Sequence, residues 1–455
     1  DPDALMNPGK IVDPPPMTEN LRVDPQTPRH RVDTMMQFDG GQDWAAAAGM
    51  CNGNAACRKQ EGLMCPSFQA SNDELHSTRA RATSLQAVLR GRLPPAELTS
   101  KGMYEVMELC LQCKGCKTDC PSEVDVAKMK SEFVYHYQKE HGVPLRSRIF
   151  GHIDQISKLA TIAAPISNAV MNTGLNKAVM EKVVGITAKR AFPSFTSERF
   201  STWLRRRGGP KPGGGDKVAL FVDTFSQFNY PELARAALHI LEALDCNVVI
   251  PKYTCCGRPA ISKGLLDNAR KKATRMQQVY GPLVDDGYRI LGIEPSCLLT
   301  MRDEHPALAP GEHAQKIADA AMLFDEYLDR RRQEGRLDAD WQHTPTRVLL
   351  HGHCHQKAQA GTTPTLDLLN HLPGVDADEI PSGCCGVAGT FGYETEHYDF
   401  SMEVGELVLL PAIRQSPTDT VVIASGLSCR GQIEHATDRK PQHLVEFIAS
   451  RLQQQ

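Results

Sequence analysis

The sequence predicts a multidomain chain in which an α-helical, cysteine-rich domain precedes an α/β domain of two pseudo-symmetric halves. Three observations support this fold class. The 15 cysteines lie in clusters rather than scattered along the 455 residues. A Gly/Pro-rich stretch, 208–215, separates helical patterns from short apolar strands that alternate with helices. Cysteine motifs then recur in pairs within the second part, which indicates an internal duplication.

Each segment has its own pattern along the chain. Residues 13–48 carry prolines without periodicity and are expected to form an extended connector. Residues 49–148 are expected to form the helical domain. Residues 149–215 should form a helical linker, broken at Pro165 and Gly174. The duplicated domain is expected over 216–455, with halves of about 216–340 and 341–455, and its expected strands are 218–222, 247–250, 289–293, 347–350 and 420–424.

Bulk composition restricts the function classes. The net charge of −3 argues against a nucleic-acid partner held by phosphate neutralisation. No apolar run approaches the roughly 18 residues of a membrane span, so any membrane association would be peripheral. Clustered cysteines without a secretory signal indicate metal ligation in a reducing compartment. We therefore expect a cytoplasmic protein, with peripheral attachment to the inner membrane as the alternative.

One run of cysteines is the strongest motif in the sequence. It has the CxxCxxCxxxCP spacing of bacterial ferredoxins, in which closely spaced thiolates hold a 4Fe-4S cluster. Gly115 is expected to permit the tight turn between them. Zinc is the alternative, although zinc sites usually combine two separated CxxC pairs. The run predicts that 49–148 is ferredoxin-like, and it consists of Cys110, Cys113, Cys116, Cys120 and Pro121.

A second, incomplete run precedes the first. Cys51 and Cys57 align with its outer members, whereas Asn54 occupies the place of the middle cysteine. Cys65, followed by Pro66, competes with Cys120 as fourth ligand of the first cluster. Three possibilities follow for a second site at Cys51, Cys57 and Cys120: a three-iron cluster, a four-iron cluster with a non-cysteine ligand, or no cluster at all. We favour a single cubane slightly over two clusters.

The α/β part contains two CCG motifs. Adjacent thiolates at a strand-to-helix turn can hold one metal or bridge two irons, because a disulfide between them is strained. The first half offers three candidate ligands and the second offers four. Their downstream pairs lack the first cysteine, which is replaced by Glu294 and Gly426. The candidates are Cys255, Cys256, Cys297, Cys354, Cys384, Cys385 and Cys429.

Histidines alternate with a cysteine after the strand expected at 347–350. His353 and His355 would share one face of that strand, close to Cys354. Imidazoles at such a place can ligate a metal or relay protons. We therefore treat the three alternating histidines, His351, His353 and His355, as candidate ligands or a proton relay, with His353 and His355 as the expected relay, and no other catalytic residue is assigned.

These motifs together resemble one family. Residues 1–12 are similar to the closing DPxGxxNPGK motif of FAD-linked oxidase C-terminal domains, with Ala4 in place of a glycine. The CCG motifs resemble those of the heterodisulfide reductase B subunit and of the iron–sulfur subunits of glycolate oxidase and anaerobic glycerol-3-phosphate dehydrogenase. The combination looks like the C-terminal half of large bacterial FAD- and iron–sulfur-dependent D-2-hydroxyacid dehydrogenases, of the D-2-hydroxyglutarate dehydrogenase type.

The resemblance implies a division of labour. An N-terminal portion of the same polypeptide would hold FAD and oxidise the hydroxyacid, with D-2-hydroxyglutarate to 2-oxoglutarate as the best expectation. This chain would take electrons singly and pass them to an acceptor: a quinone, an electron-transfer flavoprotein or a cytochrome. A homo-oligomer is also expected. Two alternatives stay open, namely that the CCG domain is itself a metal-dependent disulfide or quinone reductase, and that the chain is a non-redox, zinc-stabilised interaction module.

Overall fold

The structure is a computed structural model that describes residue 3 and residues 5–6, 8–19 and 29–453. Part of the closing motif expected at 1–12 therefore lies outside the described residues. All 15 cysteines are free of disulfides. None of the helices in the described part of the chain is both long and apolar enough to cross a bilayer.

Six helices build the N-terminal cysteine-rich region. Side chains of Ser77, Ser100 and Asp125 accept backbone N–H bonds at three helix starts, as N-caps do. Trp44, Leu85 and Phe133 are buried in their common core. The helices are α1 (Trp44–Gly49), α2 (Pro66–Ser71), α3 (Thr78–Leu89), α4 (Lys101–Glu108), α5 (Gly115–Asp119) and α6 (Val126–His141).

The expected extended connector at 13–48 is partly wrong. Trp44 starts a helix within it, and Met36 and Phe38 are buried as well. Burial of apolar side chains therefore orders the last part of this segment, because each removes its surface from water. The helix was hard to foresee because it is only six residues long, four of them alanines without an amphipathic pattern.

A run of amphipathic helices follows. The expected breaks are confirmed, because Pro165 lies in the first turn of a helix and Gly174 begins the next one. The outer face is strongly apolar: Leu159, Ile162 and Leu175 are 68%, 74% and 79% exposed. The helices are α7 (Leu145–Gly151), α8 (Ile153–Ala160), α9 (Ala164–Asn172), α10 (Gly174–Val179), a π-helical turn (Met180–Val184) and α11 (Phe200–Arg207).

Two parallel sheets form the C-terminal part. The first has the order β2-β1-β3-β4 and the second the order β6-β5-β7, so the first strand of each is flanked by the next two. All five expected strands are present, whereas β4 and β6 were missed. The strands are β1 (Lys217–Phe221), β2 (Asn247–Val249), β3 (Arg289–Gly292), β4 (Ala321–Leu323), β5 (Thr346–Leu350), β6 (Val375–Glu379) and β7 (Val421–Ile423).

Helices connect and cover these parallel strands, as such sheets require. One apolar core extends between the two sheets and includes Leu220 of β1 and Val348 of β5. The helices are α12 (Thr224–Phe228), α13 (Pro231–Ala243), α14 (Arg258–Ser262), α15 (Leu266–Asp285), α16 (Pro295–Arg302), α17 (Glu304–Leu308), α18 (Glu312–Ala320), α19 (Phe324–Gln333), α20 (Cys354–Gln359), α21 (Thr363–His371), α22 (Tyr398–Glu406), α23 (Leu409–Gln415), α24 (Leu427–Ala436) and α25 (Leu444–Ser450).

Candidate functional site

The first cluster site is a small cavity inside the N-terminal region. Four cysteines line it: Cys65, Cys110, Cys113 and Cys116. Three of these are buried and Cys110 is half-buried. Four thiols around one buried cavity match the ligand set that a 4Fe-4S cluster requires.

Cys65, and not Cys120, shares this cavity with the ferredoxin run. Cys65 adopts a left-handed backbone conformation (φ 60°) directly before Pro66, which starts α2. Its Sγ lies 3.3 Å from the carbonyl oxygen of His76 and 3.7 Å from Nη1 of Arg81. Cys120 is buried in a core that contains Cys65 and Cys116 as well as Cys51 and Cys57. The cavity lining alone therefore favours the exchanged fourth ligand that the sequence left open.

The turn that holds Cys113 is made differently from the expectation. The left-handed residues are Gln112 (φ 52°) and Lys114 (φ 66°), not Gly115. Gly115 is needed for another reason, because a Cβ atom there would lie 2.8 Å from Cγ of Leu63. The glycine therefore permits close packing against the neighbouring loop rather than the turn itself.

The incomplete run has the same backbone. Gly53 (φ 80°) and Ala55 (φ 63°) are left-handed at the positions that correspond to Gln112 and Lys114. Asn54 Oδ1 accepts a hydrogen bond from the Ala56 N–H at 2.9 Å. The Cys113 thiol receives the equivalent bond from the Gly115 N–H. The run from Cys51 to Cys57 therefore has the conformation of a cluster-binding loop with an amide in place of a thiol.

Burial makes both middle thiols of the complete run poor acids in the absence of a metal. It raises the pKa of Cys113 and Cys116, and nearby thiols and Asp125 add to the effect. Iron binding requires thiolates, so the metal must supply the compensating charge. Nearby cations also stabilise negative charge: Lys130 Nζ donates to the Cys110 carbonyl at 2.7 Å, and Arg81 is buried beside Cys65.

The C-terminal domain closes over this cluster loop. His355 Nε2 donates to the Gln112 carbonyl at 2.9 Å, and Lys114 pairs with Asp303 and Glu304. Cys113 lies close enough to Cys354 for the two thiols to influence each other's ionisation. The cysteine sites of the two domains are therefore neighbours.

The CCG cysteines of the second half all follow the carboxyl ends of parallel strands, where ligands of open α/β sheets bind. Cys354 begins α20 after β5, Cys384 and Cys385 follow β6, and Cys429 lies on α24 after β7. Hydrogen bonds join these thiols in sequence, and the bond from Cys384 lowers the pKa of Cys354 to about 7. The structure thus brings together the four candidates of the second half.

The position of the missing cysteine is filled by an imidazole. A Cβ atom on Gly426 would lie 2.4 Å from Cδ2 of His353 and 3.2 Å from Sγ of Cys429. His353 Nδ1 accepts the backbone N–H of His355 at 3.1 Å, which leaves its proton on Nε2. With its proton on Nε2, the ring is a hydrogen-bond donor rather than a metal ligand.

His351 is the better-placed candidate ligand among the three histidines that the sequence analysis named. His355 donates its Nε2 proton to Gln112, and His351 Nδ1 is held by Ser382 at 2.8 Å. The buried His351 ring also lies within hydrogen-bonding reach of the Cys385 thiol, one of the four candidate ligands. Metal-binding histidines commonly have one nitrogen fixed by a hydrogen bond and the other directed at the metal site. An alternation pattern could not reveal which of the three rings is held in this way.

Three thiols of the first half also meet. Cys256 hydrogen-bonds with both Cys255 and Cys297, and Lys272 Nζ lies 3.7 Å from Cys255. Glu294, in the place of the missing cysteine, spans to the second half, where its Oε2 accepts the Leu427 N–H at 2.9 Å. Where a cysteine would offer a metal ligand, Glu294 instead makes a hydrogen bond that joins the two parts of the domain.

Comparison with known proteins identifies both cysteine-rich regions. A family model described as a 4Fe-4S dicluster domain matches residues 47–124, and one described as a cysteine-rich domain, CCG, matches residues 218–302. The first match covers both cysteine runs, including the one that contains Asn54. Its description favours two clusters over the single cubane that the sequence suggested.

Three relatives illustrate the range of similar proteins. The C subunit of anaerobic glycerol-3-phosphate dehydrogenase from Escherichia coli K12 is 28% identical over 68% of this chain and 77% of its own length. D-2-hydroxyglutarate dehydrogenase from Pseudomonas putida is 26% identical over 98% of this chain and 48% of its own length. Lactate utilization protein A from Bacillus subtilis is 27% identical over 52% of this chain and its full length.

The chain therefore spans about half the length of the D-2-hydroxyglutarate dehydrogenases that it matches (48%). The family resemblance drawn from the motifs is confirmed by both family models and by these relatives. The chain matches a 4Fe-4S dicluster domain and a cysteine-rich CCG domain, and its homologues are D-2-hydroxyglutarate dehydrogenases and the C subunits of anaerobic glycerol-3-phosphate dehydrogenase.

Proposed function

We propose that this chain is the iron–sulfur electron-transfer part of an FAD-dependent dehydrogenase. The enzyme would oxidise a D-2-hydroxyacid, with D-2-hydroxyglutarate to 2-oxoglutarate as the preferred reaction. The alignment with D-2-hydroxyglutarate dehydrogenases over 98% of the chain supports this choice. FAD would be held by an N-terminal portion of the same polypeptide, which corresponds to the other half of those relatives.

The observation that carries the proposal is the contact between two cysteine sites. The cavity around Cys110 and Cys113 and the cavity around Cys354 and Cys384 share the lining residues Leu111 and Gln112. Electron transfer between redox centres requires such proximity, and a chain that only needed structural metals would have no reason to place them together. A flavin takes up two electrons as a hydride, whereas a bound cluster would accept one electron at a time. The clusters would therefore allow the reduced flavin to be reoxidised in one-electron steps.

The first cysteine loop is the proposed entry side. Asn52, Gly53 and Asn54 are exposed, whereas the second loop is covered by the C-terminal domain. Cys51, Cys57 and Cys120 would hold the entry cluster, and Cys65 with Cys110, Cys113 and Cys116 the inner one. Electrons would then pass towards the CCG site.

The CCG site has ligands for a metal centre in its second half. We propose Cys354, Cys384, Cys385 and Cys429 as ligands, with His351 Nε2 as an additional donor. The His351 ring lies beside the Cys385 thiol and its Nδ1 is fixed by Ser382, which fits such a role. Cys255, Cys256 and Cys297 would form a smaller site in a duplicated first half, since both sheets place their first strand between the next two.

Iron, sulfide and zinc content of the anaerobically purified chain tests the proposal. Iron and sulfide in comparable amounts, with an electron paramagnetic resonance signal on dithionite reduction, are expected. Zinc without iron would contradict electron transfer and support the zinc-stabilised module instead. Stoichiometric reoxidation by ferricyanide would then establish that the bound centres exchange electrons.

A second candidate function is suggested by the paired thiols Cys354 and Cys384. Their mutual hydrogen bond is the arrangement that a disulfide reductase would need. In the full-length dehydrogenase, Cys384→Ala and Cys385→Ala distinguish the two functions. Unaltered turnover with an artificial dye, together with lost turnover with the physiological acceptor, would support a reductase role of the CCG site. Loss of dye turnover as well would mean that electrons pass through the CCG site before they reach the dye, as in a simple electron-transfer chain.

A further inference from the structure

An aromatic slot opens beside the CCG site. Its walls are formed by the rings of Phe150, Phe192, Phe225 and Tyr393 and by the side chain of Ile153. Phe192 and Tyr393 stack with ring centroids 5.0 Å apart and planes at 11°. The slot encloses about 140 Å³. A cavity of roughly 150 Å³ holds one benzene ring, so this slot admits a single flat ring.

The slot is continuous with the candidate redox cysteines. It is lined at its inner end by Cys297 and by residues that also line the cavity of Cys354, Cys384 and Cys385. The residues common to both cavities are Arg258, Ser262, Ser296, Gly389 and Ser428. These five residues also line the cavity that contains the thiols. Arg258 and Ser428 can donate hydrogen bonds into the slot, whereas the Ser296 hydroxyl donates to Oε1 of Glu294 at 2.8 Å.

The outer end of the slot leads to the apolar helical surface. The amphipathic segment contributes slot residues at both of its ends: Phe150 and Ile153 at its start and Phe192 near its end. Between them, the outer face of the segment exposes Leu159 and Ile162 to solvent. A surface of this kind suits a ligand whose ring enters the protein while an apolar tail stays outside.

We propose that this slot binds the terminal electron acceptor and that the acceptor is a quinone with an apolar tail. The aromatic walls would stack on the quinone ring, and Arg258 or Ser428 would donate hydrogen bonds to its carbonyl oxygens. The inference rests on the proposed electron-transfer function and names its acceptor. Reduction is balanced as one quinone, two electrons from the iron–sulfur centres and two protons from water, which together give one quinol.

Filling the slot tests the proposal. Ile153→Trp introduces a large ring at the slot wall, whereas Leu93→Trp introduces the same ring at an exposed position that lines neither cavity and serves as the matched control. The probe is a benzoquinone that carries one isoprenoid unit, titrated calorimetrically into the oxidised, cluster-loaded chain. We expect Ile153→Trp to weaken binding at least about tenfold and Leu93→Trp to leave it unchanged.

A second variant protects the test against misfolding. Phe192→Ala removes one aromatic wall from a half-buried position and should also weaken binding, by about tenfold, with the circular dichroism spectrum unchanged. In stopped-flow experiments on the dithionite-reduced chain, both slot variants should be reoxidised slowly by the quinone and normally by ferricyanide.

The outcomes separate this proposal from the function beneath it. Equal quinone affinity in the wild type and both slot variants would overturn the slot proposal, and so would equal weakening in Leu93→Trp. Absence of quinone binding to a wild-type chain that contains iron and reacts with ferricyanide would overturn it too, while the electron-transfer function would stand. A wild-type chain without iron would instead remove the proposed function.

Discussion

The two cysteine loops of the dicluster domain share a backbone but not an environment. Both have left-handed residues at the same two positions, Gly53 and Ala55 in one and Gln112 and Lys114 in the other. The second loop is covered by the C-terminal domain, whereas the middle of the first loop is exposed. The first has an asparagine where the second has a cysteine. One backbone conformation thus occurs both in a loop with three cysteines and in a loop with two.

The largest expected effect comes from replacing the proposed fourth ligand of the inner site or the proposed third ligand of the outer site. Cys65→Ser should abolish the inner cluster and Cys120→Ser the outer one, because each removes a thiolate from a different ligand set. Iron content and electron paramagnetic resonance spectra of the reduced and oxidised variants measure this. Cys246→Ser is the control, since Cys246 is a core thiol beside Tyr327. Loss of the same signal in both test variants would contradict the ligand exchange.

The next effect concerns the exposed asparagine. Asn54→Cys supplies the thiol that Cys113 supplies in the other loop, and it should convert a three-iron centre to a four-iron one. Iron content should then rise by about one atom per chain, and the signal of an oxidised three-iron cluster should vanish. Asn52→Cys, two residues away and also exposed, should do neither. An identical iron content in wild type and Asn54→Cys would argue against an outer cluster of this kind.

Substitution of one glycine in each loop by alanine compares the cost of lost packing space with the cost of backbone strain. Gly115→Ala should cost about 1–3 kcal/mol of unfolding free energy, because its Cβ would press on Leu63. Gly53→Ala has open space around it and should cost only about 1 kcal/mol, for the left-handed backbone. Denaturant titration gives both values. A larger loss of unfolding free energy for Gly53→Ala than for Gly115→Ala would mean that the two loops differ in backbone conformation as well as in burial by the C-terminal domain.

The smallest expected effect depends on pH. His397 contacts Glu108, which ends the helix before the second loop, at 3.2 Å and Glu394 at 2.8 Å. Burial opposes protonation, but these two carboxylates raise the pKa of His397 above its usual value of 6.5. The stabilisation is therefore fully present below about pH 6.5 and is lost as pH rises through the folded-state pKa.

His397→Gln should accordingly lower the unfolding free energy by about 1–2 kcal/mol at pH 5.5 and by less at pH 8.5. Denaturant titrations at the two pH values measure the difference. His313→Gln, which breaks an exposed pair with Asp285, should cost less than about 1 kcal/mol. A larger loss for His397→Gln at the higher pH would show that the sign is wrong.

The sequence predicted the dicluster region better than its surroundings. Spacing alone pointed to the two cysteine loops that the 4Fe-4S dicluster model matches, because a cubane demands thiolates at fixed separations. Strand β6 was missed because an edge strand tolerates charge: Asp376 and Asp378 pair there with Arg347 of β5. The sequence could not rank His351 above His353 and His355, because its position depends on Ser382, which lies 31 residues away. Contacts between distant segments leave no local pattern.

The bond from Glu294 to Leu427 has a consequence for how the chain is made. Glu294 is synthesised 133 residues before its partner and is buried in the finished protein. A buried carboxylate without its donor is costly, so the first sheet should stay incompletely packed until the second emerges from the ribosome. Metal insertion at Cys256 and Cys297 would then wait for the same event, which links cofactor loading to completion of the polypeptide.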